Sequence, residues 1–219
     1  RFGLTVDVVP NIIDIGRFLP HQARAVSCIE PHLIVTRNLE AIYDIATAIR
    51  ALVIVRHVWP GAHMTVAGEG PERKRLEDLV HALGLAGRVK FTGRLDNLAI
   101  HSLYERADVF VNPSLVDNMP ISILEALASG VPVVSTRVGG VPFLVEHGTH
   151  ALLVPPGNAE AMAAAVLEVL KNPTRTLELT RAGRDCAEQY AWPNVRPRLF
   201  GVYGRLTATR TRNVAAPAE

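Results

Sequence analysis

Two acids and one arginine are the residues best placed to do chemistry in this sequence. Asp117 and Glu125 stand eight positions apart in the segment Asn112-Pro113-Ser114-Leu115-Val116-Asp117-Asn118-Met119-Pro120-Ile121-Ser122-Ile123-Leu124-Glu125. With a helix beginning near Pro120, Asp117 lies in the loop at its amino end. Glu125 then sits about one and a half turns inside, so one ligand can reach both. Helix amino ends attract anions because their first amides lack partners and the peptide dipoles are positive there, and a diphosphate fits beside Asn118, Met119 and Ile121. Glu125 can then accept hydrogen bonds from the paired hydroxyls of a ribose, while Asp117 is placed to meet hydroxyls of a sugar beyond the phosphates. Two carboxylates repel such an anion. Arg37, at the end of an apolar run, is the cation suited to offset them. Its guanidinium pairs with phosphate oxygens through parallel hydrogen bonds and can stabilise a departing diphosphate. Taken singly, Arg37 reads as a surface ion-pair partner, Asp117 as a helix cap and Glu125 as part of a solvated helix face. The expectation rests on the three meeting.

The elements that must bring them together are legible as an alternation of short β-branched runs and longer amphipathic stretches. Strands are expected at Leu33 to Thr36, His63 to Ala67, Val89 to Thr92, Val109 to Asn112, Val133 to Thr136 and Ala151 to Val154. Helical spacing follows in Ile42, Ile45, Ala46, Ile49, Leu52 and Val53, then from Pro71 to Leu83, near Asn97 to Arg106 and near Ile121 to Ser129. A short turn spans Val141 to Glu146. Beyond Pro155-Pro156 the chain reads as helical to about Leu206, with breaks at Asn172-Pro173 and Trp192-Pro193. This predicts an α/β fold, a Rossmann-like doubly wound parallel sheet of about six strands with helices on both faces and a helical carboxyl-terminal extension. One domain is expected over residues 1–208, with 209–219 as a flexible tail. Ligands of such sheets bind beyond the carboxyl ends of the strands. There the loops carrying Arg37, Gly68 to Gly70, Gly93-Arg94, Pro113 to Pro120 and Arg137 to Gly140 share one rim.

Composition removes other classes. With 48% apolar and 20% charged residues in 219, the chain can bury a sizeable core and is neither disordered nor a disulfide scaffold. A net charge of +2, with scattered basic residues, gives no reason to expect nucleic acid as a partner. Cys28 and Cys186 lie far apart without metal-ligand spacing, so no metal site is expected and a reducing cytoplasm fits. No apolar run reaches the roughly 20 residues of a membrane span, and no leader opens the chain. The eight histidines lack catalytic partners at telling spacing; His57, His63 and His81 read as helix or strand ends. Ser114 has no triad partners, Trp192 reads as an anchor for a late helix, and the glycine pairs read as tight turns. Opening at Arg1 without methionine, the sequence reads as part of something longer.

An ordered series of motifs resembles glycosyltransferase family 4. It runs from Val9-Pro10-Asn11-Ile12-Ile13-Asp14 through Ala67-Gly68-Glu69-Gly70-Pro71, Val89-Lys90-Phe91-Thr92-Gly93, Ala107-Asp108-Val109-Phe110-Val111-Asn112-Pro113-Ser114, the acid pair, Gly130-Val131-Pro132-Val133-Val134-Ser135-Thr136 and Gly139-Gly140 to Tyr190-Ala191-Trp192. The resemblance implies the carboxyl-terminal, donor-binding domain of a two-domain GT-B enzyme. Such an enzyme transfers a hexose from a nucleotide diphosphate sugar to a sugar, lipid-linked or small-molecule acceptor, with retention and without a bound metal or other cofactor. By position, Glu125 matches the ribose-binding Glu, Asp117 the first acid near the sugar and Arg37 the diphosphate-binding Arg; the base would lie near Gly93, Arg94 and Leu95. An amino-terminal acceptor domain is implied as the partner, and any peripheral membrane contact would belong to it. Three positions depart from the pattern: Asp117 stands for the usual Glu, Tyr43 where a phosphate-binding Lys is common, and Phe143 where a Glu is frequent. The alternatives are a non-catalytic nucleotide-sugar-binding module or another GT-B enzyme such as a sugar-nucleotide epimerase.

Overall fold

The computed structural model describes residues 7–20 and 29–214. Its six strands, β1 (His32–Thr36), β2 (His63–Ala67), β3 (Val89–Gly93), β4 (Val109–Asn112), β5 (Val133–Thr136) and β6 (Leu152–Val154), form one sheet in the order β3-β2-β1-β4-β5-β6. Every pairing is parallel. The strands are short and, in β4, β5 and β6, buried along their whole length. That is the environment in which β-branched runs such as Val133-Val134 are favoured.

Parallel strands need crossovers, and helices supply them. They are α1 (Ile45–Val58), α2 (Arg73–Ala82), α3 (Asn97–Glu105), α4 (Ile121–Ala128) and α5 (Val141–Leu144); α6 (Ala159–Lys171), α7 (Pro173–Glu188) and α8 (Trp192–Val214) follow the last strand. Asp96 caps α3 by accepting from the amides of Leu98 and Ala99, and Asn158 caps α6 at Ala161. One core joins Leu33, Val35, Met64 and Val66 to α1, α2 and α6. A second joins Ile34, Phe110 and Val133 to Tyr104 of α3 and to Ile123, Leu124 and Leu127 of α4. The doubly wound architecture is the expected one.

Two local differences from the sequence reading matter. The helix expected from Ile42 is divided: a 3-10 turn covers Ala41–Tyr43, Asp44 adopts the left-handed conformation at φ 40°, and α1 begins only at Ile45. The Asp44 carboxylate accepts from Thr47 Oγ1 at 2.6 Å, one of the local bonds that make Asp tolerable there. The divided turn leaves Tyr43 beside Arg37 rather than carrying it round a helix. At the other end, α8 continues past residue 208 to Val214. Trp192 opens that helix with 42% of its surface exposed, so it is not a buried anchor.

Candidate donor site

In a sheet of this order the chain direction switches between β1 and β4, and the loops after those strands diverge to leave a crevice. Arg37 follows β1 directly; Asn112 ends β4 and begins the loop to α4. The loops are held apart and in register by Asn112, which is fully buried and accepts from Arg37 Nε at 3.1 Å while donating to Ser135 Oγ at 3.0 Å. Arg37 also forms an ion pair through Nη2 with Asp117 Oδ2, and both side chains are largely buried, at 14% and 9% exposed. Ser114, also fully buried, lies 3.1 Å from both Asn112 Oδ1 and Asp117 Oδ2 and shares its one proton between them. Tyr43 places its ring 4.8 Å from the Arg37 guanidinium carbon. Burial holds the Arg37 pKa below its usual value, and nearby Glu125 is among the groups opposing that shift.

Glu125 projects from α4 toward the same crevice. Its Oε2 accepts from the hydroxyl of Tyr104 at 2.9 Å, and that hydroxyl lies 2.8 Å from Thr36 Oγ1. Because Tyr104 has one proton, its bond to Glu125 leaves Thr36 as the donor to Tyr104. Burial raises the Glu125 pKa above its ordinary value; the Tyr104 bond and the charges of Arg37 and Arg17 only partly oppose this. No side chain caps α4, whose amino end opens here with Pro120 at the cap.

The result is a cleft of about 410 Å³ lined by Arg37, Asp117 and Glu125 together with Arg94, Leu95, Met119 and Ile121. Gly93 and Asn118 are not on this lining. Gly93 instead accepts from the amide of Gly68 through its carbonyl, and the Asn118 backbone packs against Gly140. The glycine pairs are more than tight turns. A Cβ at Gly68 would overlap the carbonyl of Arg37, and one at Gly139, where φ is +50°, would overlap that of Asp117. Each pair lets a neighbouring strand-end loop press against the loop that carries a charged residue of the cleft.

The family model described as glycosyl transferases group 1 matches residues 30–172, more than half of the chain. The chain belongs to the group 1 glycosyl transferases. An uncharacterised glycosyltransferase of Methanocaldococcus jannaschii is 35% identical over 158 residues, 71% of this chain and 40% of that protein. Glycogen synthase of Mycobacterium tuberculosis is 31% identical over 199 residues, 90% of this chain and 48% of that protein. Among solved structures, sucrose-phosphate synthase from Thermosynechococcus elongatus superposes with a TM-score of 0.77 at 29% identity, over 92% of this chain and 52% of that one. The chain thus spans about half the length of the curated relatives it matches, and its fold is that of GT-B glycosyltransferases.

For a group 1 transferase, the residues missed at the level of sequence are those that hold the charged ones in place. Tyr104, Thr36 and Asn112 were visible only as members of a helix or strand, and Asn11, from the segment before β1, reaches the cleft by donating to the Met119 carbonyl at 3.1 Å. Strand-end position was the available signal for Thr36 and Asn112. None existed for Tyr104, whose hydroxyl crosses from α3 to α4. Of the departures, Tyr43 lines the cleft and Phe143 stands outside it, 90% exposed. Cys186 is buried with its pKa raised by burial, an inert thiol; Cys28 lies outside the described residues. Among the described residues no three His, Cys, Asp or Glu side chains form a metal-sized group, and no helix is long and apolar enough to cross a membrane.

Proposed function

We propose that this domain binds the nucleotide diphosphate sugar of a retaining, metal-independent hexosyl transfer. The observation that carries the reading is the meeting of Arg37, Asp117 and Glu125 in one cleft at the β1–β4 switch point. Arg37 has five N–H donors, and Nε and Nη2 are engaged by Asn112 and Asp117. Its remaining donors serve the phosphate oxygens, supported by the uncapped amides at the start of α4, near Met119 and Ile121. Charge that develops on the leaving diphosphate is thereby met by groups already in position. Glu125 takes the ribose hydroxyls, with Tyr104 holding its other oxygen. Asp117, at the loop tip, takes a hydroxyl of the transferred sugar, and Arg94 and Leu95 flank the base.

The cleft is open along its rim, and the chain covers about half of its relatives. We therefore assign the acceptor, a sugar, a lipid-linked carrier or a small molecule, to a second domain facing this rim. Any contact with a membrane surface belongs to that domain, and the cytoplasm is the compartment in which the donor is met. Calorimetric titration of the folded domain with UDP, GDP and ADP tests the donor assignment. At least one should bind with a dissociation constant near or below about 1 mM; failure of all three overturns the reading.

A further inference from the structure

The sheet carries a second, unlike surface. Strands of an all-parallel sheet are ordinarily apolar on both faces, because helices cover both. β2 and β3 break this rule on one side only. Met64 and Val66 join the core beneath α1 and α2, and Val89 and Phe91 pack against it. The alternate residues His63, Thr65, Lys90 and Thr92 face the other way, beside His32 of β1, and line a cleft of about 780 Å³ with α3 along its wall. It is larger than the donor cleft, and Leu95 lines both, so the two lie on opposite sides of one loop.

The groups on this lining are organised. His32 bonds to Thr65 Oγ1 through Nε2 at 2.8 Å and to the Arg106 carbonyl through Nδ1 at 3.1 Å. Its ring stacks on His63, with centroids 4.5 Å apart and planes inclined by 11°. Burial and the neighbouring His63 lower the His32 pKa to about 4, so the held imidazole is neutral near pH 7. No side-chain bond engages His63, Arg88 or Lys90 among the described residues. Lys90 pairs in register with Thr65 on the adjacent strand, which puts a cation next to the histidine pair. Arg106 adds a third cation to the lining and donates to Ser102 Oγ at 3.1 Å; Glu30 is the one acid there.

We propose that this cleft is a ligand site separate from the donor cleft, and that it takes a small phosphorylated polyol such as a hexose phosphate. Arg88 and Lys90 meet the phosphate. The His63 imidazole and the hydroxyls of Thr65, Thr92 and Ser102 meet the hydroxyls of the polyol, while His32, with both ring nitrogens engaged, holds His63 and Thr65 in place.

The test is calorimetric titration of the chain with glucose 6-phosphate, with inorganic phosphate and glucose as separate arms. The outcome expected is binding of glucose 6-phosphate more tightly than either arm. Arg88→Gln combined with Lys90→Gln should weaken it by about tenfold or more, as loss of charge-assisted bonds does. Lys90→Glu, at an exposed strand position, is the second variant, with thermal melting by circular dichroism confirming that both fold. Saturation with UDP should leave glucose 6-phosphate binding in place. Absence of binding at about 10 mM, a dissociation constant too weak for a formed site, overturns the proposal. So does binding that both variants retain, or displacement by UDP, which would put the ligand in the donor cleft. Phosphate binding as tightly as the hexose phosphate overturns the polyol assignment.

Discussion

The two acids of the proposed donor cleft sit eight residues apart and live under opposite conditions. Asp117, on the loop after β4, is paired with a guanidinium and held by Ser114. Glu125, inside α4, has a neutral tyrosine as its hydrogen-bond partner and is buried at the expense of its charge. An ion pair that already satisfies its members gains little from a ligand, whereas a buried carboxylate with one satisfied oxygen gains from any donor brought to the other. In the proposed reading the loop acid orients Arg37 in addition to taking a sugar hydroxyl, and the helix acid chiefly meets the ligand. Perturbation of one should change the site's geometry; perturbation of the other should change its appetite for hydroxyl donors.

The largest expected effect follows from removing the charge that both acids depend on. Arg37→Ala leaves Asp117 buried without its cation and deprives Glu125 of the larger of the two charges that hold its pKa down. Nucleotide diphosphate affinity should fall by about 100-fold, the scale of losing a hydrogen-bonded buried charge partner. Titration of the variant with the nucleotide that the natural domain binds best is the check. Affinity within threefold of the natural domain would mean that the diphosphate does not lie at the switch point. Arg37→Lys should recover only part of the loss, because a lysine cannot span Asn112 and Asp117 as the planar fork does.

How much of this contrast was legible beforehand follows from the range of the interactions. The strands at His63–Ala67, Val109–Asn112 and Val133–Thr136 were readable to the residue, since each is a β-branched or apolar run closed by a breaker or polar residue. The convergence of Arg37, Asp117 and Glu125 was readable too, because strand-end loops of a parallel sheet share a rim. The break at Asp44 was not, since a left-handed residue interrupts a helical spacing that Ile42 and Ile45 otherwise continue. The polar face of β2 and β3 was hidden in plain alternation: His63-Met64-Thr65-Val66 is a half-polar pattern, and only the sheet order shows that it lies where helices normally cover both sides. Partners joined across the fold, such as Tyr104 with Glu125, leave no local trace at all.

A middle-sized effect separates ligand binding from stability at Glu125. The folded domain holds this carboxyl above its ordinary pKa. At a pH below the ordinary carboxylate range it is protonated whether folded or not, and contributes nothing. As the pH rises through that range the unfolded chain ionises first, so the folded domain loses stability until Glu125 ionises there as well. Above the folded-state pKa the loss is fully present. Glu125→Gln keeps an acceptor for Tyr104 and removes the charge, so its melting temperature should exceed that of the natural domain at pH 7, with the difference shrinking toward about pH 4, near the ordinary Glu value. Nucleotide affinity should fall by about tenfold at the same time, the cost of replacing charge-assisted bonds to hydroxyls. A variant both less stable and unimpaired in binding would reverse the assignment of roles between the two acids.

The smallest effect is the most discriminating. Tyr104→Phe preserves a fully buried ring packed edge-on to Phe18 and removes only the hydroxyl between Thr36 and Glu125. A net hydrogen bond of this kind is worth about 1 kcal/mol, so nucleotide affinity should drop by about fivefold. A merely structural loss would lower the melting temperature and leave the pH dependence of binding alone. If Tyr104 positions and charges Glu125, its removal takes away the first of the influences that hold the Glu125 pKa down. The acid limb of the binding profile, where Glu125 becomes protonated, should then move to higher pH than in the natural domain. In the Glu125→Gln background the same substitution should no longer move it, because no titrating group remains for the hydroxyl to influence. A shift that persists in that background would assign the limb to another group and leave Tyr104 as packing alone.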